Sequence, residues 1–269
     1  MNTMLALARM FTVLQFRSRI AVFYNFLYPW LYLVLAFSFF GGAQHPAALF
    51  SAVATIIVIG GGIYSLSFQL VYLRETDVLR QLHVAPISAN MVIGARVFAS
   101  TLVTCSVIAL QCALVSGMTD HSLVYRLPLI LVSSGLGVIL CSLVGVLIAG
   151  CSDNIQGSQI LIRSLFYLFV MASGAIIGLG KLPPFLRSIV DNLPPGVIYK
   201  AIESASSDNV RSLVVSWLQL LTAIVVFFLI SGRAFRWDKR WTFARHEKMR
   251  IVTSGALGLL SSVLVHFVV

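Results

Sequence analysis

Long apolar segments recur along this chain and limit its fold more than any other feature of the sequence. Each contains about 20 residues, enough for one helix to cross a hydrocarbon core roughly 30 Å thick. Of the 269 residues, 59% are hydrophobic and only 10% are charged, more apolar surface than a soluble domain could bury. The alternating ten-residue pattern of a membrane β-barrel is missing. The sequence therefore predicts an all-α, polytopic helical membrane protein.

The hydropathy pattern predicts six spans, at about residues 21–40, 48–73, 92–117, 127–149, 163–179 and 212–230. Before them, residues 1–20 have no signal-peptide pattern and form a basic amphipathic run. That run predicts a surface helix with Leu5, Phe11, Leu14 and Phe16 toward lipid. After them, residues 251–269 contain no Asp, Glu, Lys or Arg and would extend about 28 Å as a helix. This length predicts an additional C-terminal span; the alternative is a helix along the inner membrane surface.

The distribution of basic residues predicts the orientation in a plasma or inner membrane. With a cytoplasmic N-terminus, fourteen of the 19 Lys and Arg residues lie inside and five outside. The polar interval 74–88 then lies in the cytoplasm. The interval 181–211 lies outside, and its two Pro-Pro pairs break any continuous helix. Its apolar side chains predict short re-entrant helices in the outer leaflet.

The interval 74–88 is more ordered in sequence than a connecting loop requires. It begins with charged residues, continues with an apolar strip at helical spacing and ends at a proline. The alternative is a solvated loop between two spans. The residues that define the pattern are Arg74, Glu75, Asp77, Val78, Leu79, Leu82 and Pro86.

This interval resembles the cytoplasmic coupling helix of type-2 ATP-binding-cassette (ABC) exporter permeases, and it is called the coupling segment below. The matching residues are Arg74, Glu75, Leu79, Leu82, Pro86, Ile87 and Ser88. Asp77 stands where the family usually has Gly, and Ala85 where it often has Thr. The surface helix, six spans and proline-rich outer segment extend the resemblance over residues 1–240. The segment 251–269 is not part of the usual family plan.

The resemblance implies the membrane-spanning permease of an ATP-driven exporter. The permease would pair with a second copy or a related permease, and with two copies of an ABC ATPase subunit that holds the ATP and magnesium. The coupling segment would dock into that ATPase. The path would carry a hydrophobic or amphipathic substrate, such as an antibiotic or drug, a lipid, or a lipid-linked glycan. The direction of transport is implied by the resemblance alone.

The sequence offers no chemistry for an enzyme, so we expect no catalytic residue, cofactor or metal in this chain. The nearest phosphate-loop match, residues 175–182, lacks the closing Ser or Thr. Gly60–Gly62 is better explained by close helix packing than by phosphate binding. The net charge is +10, but the basic residues lie at the ends of the spans, which argues against nucleic acid as a partner.

Three polar residues near the predicted start of the fifth span are candidates for a gate or a contact with lipid phosphate: Arg163, Gln156 and Gln159. The alternative for Arg163 is simple anchoring at the cytoplasmic surface. For the whole chain, two alternatives to an exporter remain: a membrane scaffold or assembly factor, and an ion-coupled carrier. The second is disfavoured because no acidic residue lies at the centre of a span.

Overall fold

The described residues of this computed structural model form a helical bundle. They are 2–17, 27–39, 46–76, 88–118, 123–152, 155–174, 190–207 and 209–234. Nine α-helices are found among them: α1 Asn2–Arg17, α2 Tyr28–Phe39, α3 Pro46–Ile59, α4 Ser65–Glu75, α5 Ala89–Met118, α6 Leu127–Cys151, α7 Ile155–Ala172, α8 Pro194–Ser206 and α9 Val210–Ala234. A π-helix, Gly60–Tyr64, joins α3 to α4, and a 3-10 turn, Val124–Arg126, leads into α6.

Five helical stretches are long and apolar enough to cross a membrane: Ala47–Glu75, Asn90–Met118, Val124–Cys151, Ile155–Ala172 and Val210–Ser231. They correspond to the second to sixth predicted spans, and the described part of the chain contains no strand. The predicted all-α polytopic fold is therefore confirmed. The first predicted span falls only partly on described residues, as the 12-residue helix α2. The additional span at 251–269 lies outside the described residues and stays a prediction.

Helix α6 forms the centre of the bundle. It packs against α3, α4, α5, α7, α8, α9 and the π-helix. It has no charged residue, and its glycines and serines let neighbouring helices approach closely. A Cβ atom built on Gly137 would lie 2.8 Å from Val58 and 3.1 Å from Ile198, on two different helices. Small residues on α6 thus set the spacing of the bundle.

The π-helix packs tightly against α5 and α6. A Cβ atom on Gly61 would lie 2.3 Å from Oγ1 of Thr104, and one on Gly62 would lie 2.3 Å from Cβ of Cys141. Neither glycine can therefore carry a side chain without displacing a neighbour. Ser100 donates a hydrogen bond to the Gly61 carbonyl at 2.7 Å. The predicted packing role of the three-glycine run is confirmed.

Helix α1 packs along α5, and this placement corrects one prediction. Leu5, Leu14 and Phe16 are exposed as expected. Phe11, predicted to face lipid, is only 1% exposed and joins Leu7 and Ala8 in a cluster with α5. The helix has apolar residues on both sides, so one side can pack against protein while the other remains exposed. Hydropathy alone does not distinguish those two sides.

Helix α7 begins eight residues earlier than predicted. The sequence placed a polar turn at 151–159 and the start of the span at Arg163, but the helix runs from Ile155 to Ala172. Gln is a good helix former, so the polar residues extend the helix instead of preceding it. The helix also ends before the predicted residue 179, because Gly174 adopts a left-handed conformation with φ 71°. This register moves Arg163 from the helix end to its middle.

Helix α8 lies in the segment predicted to re-enter the membrane. It starts at Pro194–Pro195, where the missing amides cost no intrahelical hydrogen bond. Val197, Ile198 and Ala201 on this helix are buried in the main core. Residues 181–189 lie outside the described part, and insertion of α8 into the outer leaflet stays a prediction.

Candidate functional site

Arg74, the first residue of the coupling segment, lies in the last turn of α4 and is 4% exposed. Its guanidinium donates hydrogen bonds to the Ala149 carbonyl, at 2.9 Å, and to the Ser152 carbonyl. These carbonyls belong to the C-terminal end of α6, where helix carbonyls lack intrahelical partners and favour a nearby cation. The Arg74 side chain therefore joins the start of the coupling segment to the central helix, inside the permease.

The two ends of the coupling segment are both fixed by helix-terminal hydrogen bonds. At the first end, Glu75 is half-buried, and the Thr76 amide bonds to the Tyr72 carbonyl at 3.0 Å. At the second end, the Met91 amide bonds to Oγ of Ser88 at 3.3 Å, an N-cap for α5. The remaining predicted docking residues lie outside the described residues: Asp77, Val78, Leu79, Leu82 and Pro86. Their docking role stays a prediction.

Arg96 is a buried cation whose structural role the sequence analysis missed. It has no exposed surface and lies where α1, α4 and α5 meet. Its Nη1 donates to the Phe11 carbonyl and its Nη2 to Oγ of Ser65, each at 3.5 Å, and its guanidinium lies 5.3 Å from the centre of the Phe11 ring. Gln15 also reaches Ser65, at 3.1 Å. The available signal was an arginine inside a predicted span, which usually marks a specific role.

Arg163 and Tyr64 come together from two separate parts of the chain. Nε of Arg163, on α7, donates to Oη of Tyr64, the last residue of the π-helix, at 3.3 Å. The Phe166 ring stands edge-on to the Tyr64 ring at a centroid distance of 6.3 Å. Close packing of Gly61 and Gly62 against α5 and α6 fixes the backbone just before Tyr64. The sequence predicted Arg163 as a candidate but gave no indication of Tyr64.

Gln156 and Gln159 lie on the same helix as Arg163, toward the start of α7. Gln156 and Arg163 are exposed and Gln159 is half-buried. The spacings of three and four residues place the three side chains along one side of the helix. The sequence placed the two glutamines in a connecting turn before the span, whereas the structure places all three residues on one helix within a candidate span.

The described residues do not bring three His, Cys, Asp or Glu side chains together at any point. The features of the described chain are instead helix contacts: a capped central helix, a buried cation beneath α1, and an arginine–tyrosine pair between α7 and the π-helix. Together with the five long apolar helices, they define a multi-pass α-helical membrane protein.

The family comparison is more specific. The model of the family described as ABC-2 type transporter matches residues 2–206, so the chain belongs to that family. It is therefore a transmembrane component of an ABC transporter, a component that generally works with an ABC ATPase subunit and is not itself the catalytic part. This match confirms the family that the resemblance of the coupling segment indicated. A search of curated proteins gave no match.

Proposed function

We propose that this chain is the permease subunit of an ATP-driven exporter, working as a homodimer with two copies of an ABC ATPase. The contact between Arg74 and the end of α6 is the observation that carries the proposal. Force on the coupling segment would reach the centre of the bundle through this buried contact. Closure of the ATPase subunits on ATP would then move the permease helices as rigid bodies.

Docking would bury the apolar strip of the coupling segment, Val78, Leu79 and Leu82, in the ATPase. A short helix in the cytoplasm is not in contact with lipid, so those side chains need a protein partner to be buried. Glu75 would accept hydrogen bonds from donors on the ATPase, and such a charge-assisted contact contributes roughly 1.5–3 kcal/mol to binding. The positive-inside distribution supports this arrangement, because it predicts a cytoplasmic N-terminus and a cytoplasmic coupling segment.

The transported substrate is hydrophobic or amphipathic: a drug or antibiotic, a lipid, or a lipid-linked glycan. Large apolar side chains remain exposed along the candidate spans, including Leu161, Leu168 and Met171 on α7 and Val225, Phe228 and Leu229 on α9. Surfaces of this kind suit contact with lipid, with a second permease and with an apolar substrate. Transport takes place in the plasma or inner membrane.

The test is co-purification of the ATPase with variants of the coupling segment. Leu82→Asp places an unpaired charge in the docking surface, which should cost several kcal/mol of binding free energy and remove the ATPase from the complex. Glu75→Ala should keep the complex but uncouple ATP hydrolysis from substrate. Ser207→Asp adds the same charge at an exposed position after α8 and serves as the matched control.

The measurements are the amount of bound ATPase and its substrate-stimulated turnover. We expect the control variant to match the wild type in both. If Leu82→Asp binds the ATPase with normal turnover, the coupling segment is only a loop and the docking model is wrong. If the complex forms but no substrate stimulates turnover, a scaffold or assembly role explains the chain better than transport.

A further inference from the structure

We propose that Arg163 and Tyr64 bind the anionic headgroup of the transported amphiphile, a phosphate or carboxylate on an apolar chain. The inference rests on the proposed permease function and specifies the substrate class within it. It is carried by the place of Arg163 in α7, the geometry of its contact with Tyr64, and the polar side chains that precede it on the same helix.

Arg163 lies halfway along a candidate span. It is the ninth of the 18 residues of α7, about 12 Å along the axis from the first residue. The chain on either side is apolar, from Ile160 to Ile162 and from Leu165 to Ala172. A cation this far from the helix end is costly in contact with lipid, and arginines at such positions generally face a protein interior or a water-filled path.

Arg163 lies where the exposed side of α7 meets the side that packs into the bundle, and it reaches the bundle through Tyr64. Arg163 and Tyr167 are exposed, although Val170, two turns after Arg163 on the same side, is buried. The other buried residues of α7 are Ser158, Ile162 and Phe169. Of the five candidate spans, α7 has the smallest buried share, at 22%. The exposed side therefore carries one charge beside large apolar side chains, which suits a path that takes both polar and apolar groups, such as one enclosed between two permease copies.

The contact with Tyr64 provides oxyanion donors from two elements. A guanidinium has five N–H donors, and a phenol whose oxygen accepts a hydrogen bond still has its own proton to donate. A phosphate or carboxylate beside this pair would receive hydrogen bonds from both side chains, at the strength of charge-assisted contacts. The tightly packed glycines and the edge-on Phe166 ring hold the phenol in position, so little ordering is needed on binding.

Gln156 and Gln159 extend the polar side of α7 from Arg163 toward the start of the helix. Exposed apolar residues lie next to this line, with Ile160 68% exposed and Leu168 60% exposed. One helix therefore offers a polar line for a headgroup and an apolar strip for an acyl or other hydrocarbon chain. This pairing favours an anionic amphiphile over a small anion or a neutral apolar compound.

The experiment measures binding of radiolabelled dodecyl phosphate to the full-length chain in phosphatidylcholine nanodiscs. We expect saturable binding to the wild type. Arg163→Gln should weaken it about tenfold or more, as loss of a charge-assisted contact implies, and Tyr64→Phe should weaken it several-fold. Arg163→Lys keeps the charge without the planar fork, so its affinity should fall between those of the wild type and Arg163→Gln. Dodecyl maltoside, a neutral amphiphile, should bind the wild type and all three variants equally.

Arg211→Gln is the matched control, because Arg211 is exposed at the start of α9 and away from the pair. It should bind dodecyl phosphate like the wild type. Inorganic phosphate distinguishes an amphiphile site from a site for the bare anion. Failure of phosphate to compete supports the proposal, and competition as strong as that of dodecyl phosphate overturns it. Unchanged binding in both Arg163→Gln and Tyr64→Phe also overturns it.

These outcomes are separate from those of the docking test. Suppose that the Leu82→Asp variant no longer co-purifies with the ATPase, but the affinity for dodecyl phosphate is the same with and without Arg163. The permease role is then supported and the proposed headgroup site is wrong. If Leu82→Asp keeps the ATPase while binding depends on Arg163, the chain has an anion site but the proposed coupling is wrong.

Discussion

The guanidinium of Arg74 donates a hydrogen bond to the carbonyl oxygen of Ala149 at 2.9 Å, across 75 positions of the sequence. The same side chain reaches Ser152, just past the end of α6. Because Arg74 opens the coupling segment and Ala149 lies near the end of the most buried candidate span, this contact connects the predicted docking segment to the central helix of the bundle. Substitution of Arg74 is therefore the first test of the proposed coupling.

Arg74→Ala should destabilise the protein and weaken coupling together. It leaves two carbonyls at the end of α6 without their cationic donor, at an expected cost of about 1.5–3 kcal/mol in the free energy of unfolding. Arg74→Lys retains the charge but cannot reach both carbonyls with a planar fork, so we expect an intermediate effect. Thermal unfolding of the purified chain and ATPase co-purification are the measurements. A variant with wild-type stability and normal coupling would show that the contact has no mechanical role.

Arg96→Ala should loosen α1 without unfolding the bundle. The change removes the hydrogen bond to the Phe11 carbonyl and the cation beside the Phe11 ring. Together these two contacts should contribute about 2 kcal/mol to the free energy of opening α1. Hydrogen exchange should therefore become about thirtyfold faster in residues 2–17, provided that local opening limits exchange. Exchange in α6 serves as the internal control and should not change. Equal acceleration in both helices would mean that Arg96 supports the whole fold and not the surface helix.

Gly62→Ala should disrupt the contact between the π-helix and α6. The new methyl group would lie 2.3 Å from Cβ of Cys141 and 3.0 Å from its backbone carbonyl carbon, so helices must separate, at a cost of about 1–3 kcal/mol. Gly117→Ala is the matched control, because nothing lies within 4 Å of that position. Thermal unfolding of the two variants in the same detergent compares them directly. Similar unfolding temperatures of the two variants would show that the helices can move apart at position 62 with little loss of stability.

Ile198→Cys should resist a water-soluble thiol reagent added from outside the cell. The Ile198 side chain has no exposed surface and packs in the main core. Ser207→Cys, exposed after the end of α8, should react from the outside. The native cysteines are replaced in both variants so that only the new thiol reacts. Ready labelling of Ile198→Cys would contradict a buried re-entrant helix, and labelling of Ser207→Cys only from the cytoplasm would reverse the predicted orientation.

Spans two to six could be read from the sequence because they depend on local composition. A run of about 20 apolar residues has few alternatives to a membrane helix, and that requirement does not depend on which neighbours it meets. The same holds for Gly60–Gly62, whose lack of side chains already indicates a close contact. The coupling segment could be singled out for a related reason, since its charges, apolar strip and proline are adjacent in sequence, and its docking role stays a prediction.

The contacts that give this protein its candidate sites depend on residues far apart in the chain, so only the tertiary structure decided them. Arg74 meets Ala149, Arg163 meets Tyr64, and Arg96 meets Phe11 at separations of 75 or more residues. Hydropathy showed which residues lie in helices, but it does not determine the rotation of a helix or the register of its start. Because α7 starts eight residues before the predicted position, Arg163 lies in the middle of a candidate span and not at its start. The physical reason is that the rotation of a helix is set by side-chain packing between helices, which no single segment of sequence contains. The earlier start of α7 has a different cause, the helix-forming polar residues that hydropathy does not count.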